Sequence, residues 1–190
     1  MQSVANKVRI PAVPFRWGII LPLAAGILLM VPLLQGIPLS HDLNIHLAMV
    51  DQFRASLAEG NAYPRWLADF NDGYGAPTMI FYPPGLFYCT SFAALLCGGN
   101  ILVGFYLILT LLTIVGFAGV YRLLSEPAGP WAAAGVALAL VAPFRVFELH
   151  AAGLFPAYAA GCVFPWALDS LWRIAAEPRG GGWLSRPVRN

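Results

Sequence analysis

Apolar residues along this chain fall into five runs, at 17–39, 83–97, 101–121, 128–144 and 155–172, with polar positions gathered between and beyond them. Crossing the roughly 30 Å of bilayer hydrocarbon takes about 20 apolar helical residues. Four runs approach that length. The run at 83–97 would rise only about 22 Å at 1.5 Å per residue, opens on Pro83 and Pro84, and carries Thr90 and Ser91. The pattern therefore predicts helices throughout, with one of them too short to span.

Basic residues decide how such runs thread a membrane, because cytoplasmic loops collect Lys and Arg. With five spans, Lys7, Arg9, Arg16 and Arg145 lie inside and the other 7 basic residues outside, the reverse of the rule. If 83–97 lies along the outer interface, Arg122 and the four arginines beyond residue 172 move inside, giving 8 inside against Arg54, Arg65 and Arg145 outside. The expectation is an all-α polytopic membrane protein with four spans and both termini cytoplasmic, in a plasma or inner membrane. It divides into a cytoplasmic N-terminus at 1–16, a membrane domain at 17–172 with an outer loop at 40–99, and a basic cytoplasmic tail at 173–190. The aromatics Phe81, Tyr82, Phe87, Tyr88 and Phe92 suit a membrane-parallel helix at headgroup level.

The outer loop itself starts with a helix signal. Ser40 is the expected N-cap, Asp42 sits in the first turn, and Leu43, Leu47, Val50 and Leu57 supply an apolar side up to a stop at Gly60-Asn61. This predicts a second juxtamembrane helix at about 41–59, followed by an irregular loop punctuated by Pro64, Gly73, Gly75 and Pro77. Within it, Asp69 to Gly73 reads as a turn. A second outer loop, at 141–155, holds Arg145, Glu148 and His150.

Composition agrees with the pattern. Hydrophobic residues make up 59% and charged residues 11% of the chain, with a mean hydropathy of +0.69, a balance foreign to soluble domains. A net charge of +2, spread over the ends of apolar runs, gives no nucleic-acid patch. Cys89, Cys97 and Cys162 have neither CxxC spacing nor a histidine cluster, so they read as small buried hydrophobes. The first apolar run is too long for a signal-peptide core and lacks a small-x-small cleavage site.

The loop also carries a recognisable series: Asp42, His46 four residues on, Gly60-Asn61-Ala62-Tyr63-Pro64-Arg65-Trp66, Gly73-Tyr74-Gly75-Ala76-Pro77, and Phe81-Tyr82-Pro83-Pro84. This resembles polytopic glycosyltransferases of the GT-C fold, most closely the membrane family labelled 6-pyruvoyl-tetrahydropterin synthase-related. The resemblance covers about residues 17–172. It implies two juxtamembrane helices in the first outer loop and transfer of a sugar from a polyprenyl-phosphate donor to an acceptor on the outer face of the membrane. It also implies that Asp42 stands where the family has its first-loop carboxylate. The family has many more spans, so the chain is expected to be an N-terminal fragment whose partner is the remaining C-terminal part.

Glycosyl transfer at such a boundary needs a base for the acceptor proton and cations for the leaving phosphate. Asp42 is the candidate base. His46, one turn later on the same face, is expected to bind substrate or steer the base. Arg54, Arg65 and Arg145 are the outer-face cations for a phosphate, with Glu148 and His150 as further substrate-binding residues. No cofactor is indicated by a motif. A divalent cation on Asp42 and His46 is the one the residue types allow. Asp169, near the inner end of the last run, is placed to pair with Arg173 at i,i+4. A competing reading is a noncatalytic multi-pass protein, a remnant or partner subunit whose loop binds lipid or another chain.

Overall fold

The computed structural model describes residues 42–138 and 152–176, together with isolated positions of the first apolar run. Among them the protein is all-helical with no strand: α1 (Leu43–Ala58), α2 (Thr78–Phe81), α3 (Gly85–Leu96), α4 (Ile101–Ala128), α5 (Pro130–Ala137) and α6 (Phe155–Ala176). Most of the expected first span, the second outer loop with Arg145, Glu148 and His150, and the basic tail beyond residue 176 lie outside the described residues.

Local signals set the helix ends. Gly60, at φ 91°, closes α1 in a Schellman motif: its amide donates to the Leu57 carbonyl at 3.0 Å and the Asn61 amide to Ser56 at 3.1 Å. Gly98, at φ 67°, closes α3 in the same way, with the Gly99 amide on the Ala94 carbonyl at 2.8 Å. The chain restarts at once, because the Asn100 side chain accepts from the Val103 amide at 3.0 Å and caps α4. Residue 42, not Ser40, is the N-cap of α1.

Four connecting residues thus fold α3 back onto α4. A Cβ on Gly104 would lie 2.6 Å from the Ala94 backbone nitrogen, and Leu86 and Cys89 of α3 face a cavity shared with Ile108 and Leu112 of α4. This hairpin differs from the membrane-parallel placement expected for 83–97. The reason is physical: with glycine at 104 the two backbones approach closely, and the short turn leaves α3 no reach to lie elsewhere. At 12 residues, α3 runs beside only part of the 28-residue α4.

α4 and α6 run parallel, at a nearly constant offset along their shared length. Phe105 meets Phe155 at 4.8 Å between ring centres, and the Thr113 hydroxyl lies 2.7 Å from the Tyr158 hydroxyl. Gly116 faces Cys162, Gly119 faces Trp166, and Arg122 reaches Asp169 at 2.8 Å. α5 turns back after Gly129 and packs Ala137 against Phe117. One core joins Leu43, Val50 and Phe53 of α1 to Phe87, Phe105, Leu109 and Phe155. Among the described residues one helix, Ile101–Ser125, is long and apolar enough to cross a membrane. Pro165, Asp169 and Arg173 dilute the apolar character of α6.

Candidate functional site

Asp42 ends the entry into α1 at φ −114° and ψ 1°, and its carboxylate does not cap the first-turn amides of the helix. One turn on, the His46 amide donates to the Asp42 carbonyl at 2.9 Å, which holds both side chains on one face of α1.

That face turns inward. His46 is 3% exposed and sits among three rings: Phe155 edge-on at 5.2 Å, Tyr82 edge-on at 5.8 Å and Phe87 stacked at 6.2 Å. Among the described residues its Nδ1 has no hydrogen-bond partner. Leaving a buried polar atom unpaired costs roughly 1–3 kcal/mol, which a fold retains where the atom has a use. Burial pushes the imidazole below its ordinary pKa, and the Asp42 carboxylate partly offsets this. At neutral pH His46 is therefore an uncharged donor and acceptor beside a carboxylate.

The cage adjoins apolar space. Tyr82 and Phe155 are followed directly by Pro83 and Pro156, which line a cavity of about 310 Å³ with Leu86, Cys89, Ile108 and Leu112. α3, α4 and α6 form its walls. Neither Asp42 nor His46 lines this cavity, whose walls are apolar.

The remaining site expectations divide. Arg54 lies twelve residues beyond Asp42, about 18 Å along the helix at 1.5 Å per residue. It donates to the Gly99 carbonyl at 3.2 Å and stands 3.9 Å from Asp51, so it ties α1 to the α3–α4 turn. Arg65 is exposed and packs its guanidinium 4.9 Å over the Tyr63 ring. Neither arginine is brought to Asp42. Arg145, Glu148 and His150 are outside the described residues. Among the described residues no group of three His, Cys, Asp or Glu side chains converges as a metal site.

The segment after α1 positions Tyr82. Leu67 and Ala76 exchange two backbone hydrogen bonds of 2.9 Å, and between them Asn71, Asp72 and Gly73 take positive φ. Asp69 thus belongs to a closed turn, its amide donating to the Gln52 side chain at 3.1 Å. Gly75 packs its bare Cα face on the Trp66 indole, where a Cβ would come within 2.4 Å.

Two arrangements were not legible beforehand. The aromatic cage around His46 had a partial signal in Phe81-Tyr82-Pro83-Pro84, whereas Phe155 comes from a distant run. Asp169 does bind Arg173 at 2.8 Å, as its spacing suggested, and binds Arg122 equally closely. Asp169 inside an apolar run, and Arg122 just beyond the end of another, were the available clue. No protein-family model, curated protein or solved structure matches this chain.

Proposed function

We propose that the chain is the N-terminal module of a GT-C-type membrane glycosyltransferase, with four spans and the α1 loop on the outer face. The observation that carries this reading is Asp42 one turn from His46 on α1, with the His46 ring set among Tyr82, Phe87 and Phe155. A polyprenyl-phosphate sugar has both chemistries, a polar reacting end and a hydrocarbon tail. The parallel course of α4 and α6 supports the threading, since it sets Arg122 and Arg173 at the end of the bundle away from α1. Exposed Val103, Leu107, Leu111 and Val115, spaced four apart on α4, form the kind of face that lipid covers.

In this proposal the Asp42 carboxylate takes the proton of the acceptor hydroxyl. The acceptor oxygen then bonds to the anomeric carbon as the bond from that carbon to the phosphate oxygen breaks, and polyprenyl phosphate leaves with the electron pair. Neutral His46, one turn from Asp42, sets the electrostatics of the carboxylate. Arg54, Arg65 and Arg145 remain the candidate cations for the leaving phosphate, Arg54 being held at the Gly99 carbonyl. The test is turnover of purified protein, joined with any C-terminal part, on a polyprenyl-phosphate sugar. Asp42→Asn lowers the rate about 100-fold or more, as loss of a positioned base does. Asp69→Asn stays within a few-fold, because that residue serves a turn. Wild-type rates in Asp42→Asn would leave the noncatalytic lipid-binding reading ahead.

A further inference from the structure

Several hydroxyls of the long helices turn back on their own backbone. Thr110, Thr113 and Ser170 each donate to the carbonyl four residues earlier at 2.8 Å, and Ser125 donates to the Arg122 carbonyl at 3.3 Å. A helical hydroxyl satisfies itself in this way without leaving its own turn. Thr90 and Ser91 of α3 do not. They are 0% and 3% exposed, and neither hydroxyl has a hydrogen-bond partner among the described residues.

Their place in α3 says where they lie. Phe87, Thr90, Ser91 and Ala94 recur at i, i+3, i+4 and i+7, which makes one stripe of the helix. At one end of the stripe the Phe87 ring is 5.8 Å from Phe53 and 6.2 Å from His46, both on α1. At the other end the Ala94 backbone packs on Gly104 of α4. The two hydroxyls between these contacts sit in the junction of α1, α3 and α4, with Val50, Phe53, Phe105 and Leu109 as fully buried neighbours in the same core. His46 Nδ1, also without a partner among the described residues, belongs to this core through the Phe87 ring. Three buried polar atoms thus gather around one phenylalanine.

We infer that the junction of α1, α3 and α4 is an internal water site, its ordered water shared by the Thr90 hydroxyl, the Ser91 hydroxyl and His46 Nδ1. Buried waters are held where polar groups lack protein partners, and each makes about three hydrogen bonds. The donor and acceptor inventory fits. A hydroxyl can give one proton and accept others, and an imidazole nitrogen gives or accepts according to its tautomer. Water, with two protons and two lone pairs, matches every such combination, and a bond through it is enthalpically close to a direct one. The inference is independent of glycosyl transfer and of how α4 is threaded.

The experiment is a pair of double-mutant cycles on the full chain in detergent, read by thermal unfolding, together with methyl NMR of the unaltered chain. Thr90→Val and Ser91→Ala each remove a hydroxyl and keep most of its space filled. Each lowers the unfolding temperature by about 2–4 °C, the shift for loss of one hydrogen bond in a chain of this size. The double variant falls by less than the sum, because the first substitution already releases the shared water. Ser91→Ala combined with His46→Phe is sub-additive for the same reason. Hydroxyls that held nothing would respond in the opposite direction, since replacing an unsatisfied buried group by an apolar one of the same shape stabilises. In the NMR spectra the Thr90 methyl shows a cross-peak to water. The Thr113 methyl shows none, being equally buried with its hydroxyl on the Leu109 carbonyl and beside the Tyr158 hydroxyl. This readout needs no substitution, so it decides the matter even if a variant does not fold. A rise in unfolding temperature in Thr90→Val and Ser91→Ala, strictly additive losses, or no water cross-peak at Thr90 would overturn the inference.

Discussion

Gly104 is the point at which the α3–α4 hairpin is most exposed to a single substitution. A Cβ there would lie 2.6 Å from the Ala94 nitrogen, 2.8 Å from its Cα and 3.1 Å from the Ala93 carbonyl carbon. These are backbone atoms, so no side-chain rotation relieves the overlap and α3 must shift bodily. The shift loosens Phe87 from Phe53, 5.8 Å away, and from His46. Overpacking of this kind costs about 1–3 kcal/mol. Replacing a helical glycine returns somewhat under about 1 kcal/mol, so Gly104→Val is expected to lose on the order of 1–2 kcal/mol. For a chain of this size that is a fall of roughly 2–8 °C in unfolding temperature. Gly135 is the control, because no atom of the described residues lies within 4 Å of a Cβ built there. Gly135→Ala gains the propensity without the overlap and is expected to stabilise by about 0.5–1 kcal/mol. Tryptophan fluorescence during heating in detergent reads both. A Gly104→Val protein as stable as the wild type would refute the close packing of α3 on α4.

Two further outcomes follow from the same structure. Burial holds the His46 imidazole below its ordinary 6.5 in the folded protein, so the unfolded chain binds that proton more tightly. The stability it contributes is full above about pH 6.5 and is lost as the pH falls below it, levelling once the folded-state imidazole also titrates. His46→Phe keeps the cage filled and flattens this acid limb between about pH 7 and 5.5; parallel curves for the two proteins would contradict the assignment. For the threading, a cysteine introduced at Arg186 is expected to resist an impermeant thiol reagent added outside intact cells and to react after lysis. Labelling from outside would reverse the four-span proposal.

Local signals in the sequence carry local structure well. The stop at Gly60-Asn61 and the glycine pair at Gly98-Gly99 mark helix ends because a left-handed residue is needed there and glycine takes it without strain. The turn at Asp69 to Gly73 is legible for the same reason, Asn and Asp being the other residues that tolerate positive φ. The direction of α3 was not legible. Counting arginines constrains which ends share a side of a membrane, and says nothing of a 12-residue helix packed along its neighbour. Nor was the setting of His46, since the ring closest to it, Phe155, is more than a hundred residues away in the chain. Arg54 looked free for a phosphate because the carbonyl it binds, Gly99, becomes available only when the Schellman turn forms. That Asp42 and His46 lie on one face of α1 was legible, because i and i+4 share a helix face whatever the tertiary fold.

The central claim is that the α1 face bearing Asp42 and His46 is built for chemistry on a lipid-linked substrate. The most direct measurement is the rate of sugar transfer from a polyprenyl phosphate by wild type, Asp42→Asn and Asp69→Asn, each checked for an unchanged unfolding temperature. A loss of about 100-fold or more confined to Asp42→Asn is the expected result, with unfolding shifted by less than about 1 kcal/mol, the scale of a helix-end charge. Transfer by Asp42→Asn at the wild-type rate would contradict the claim.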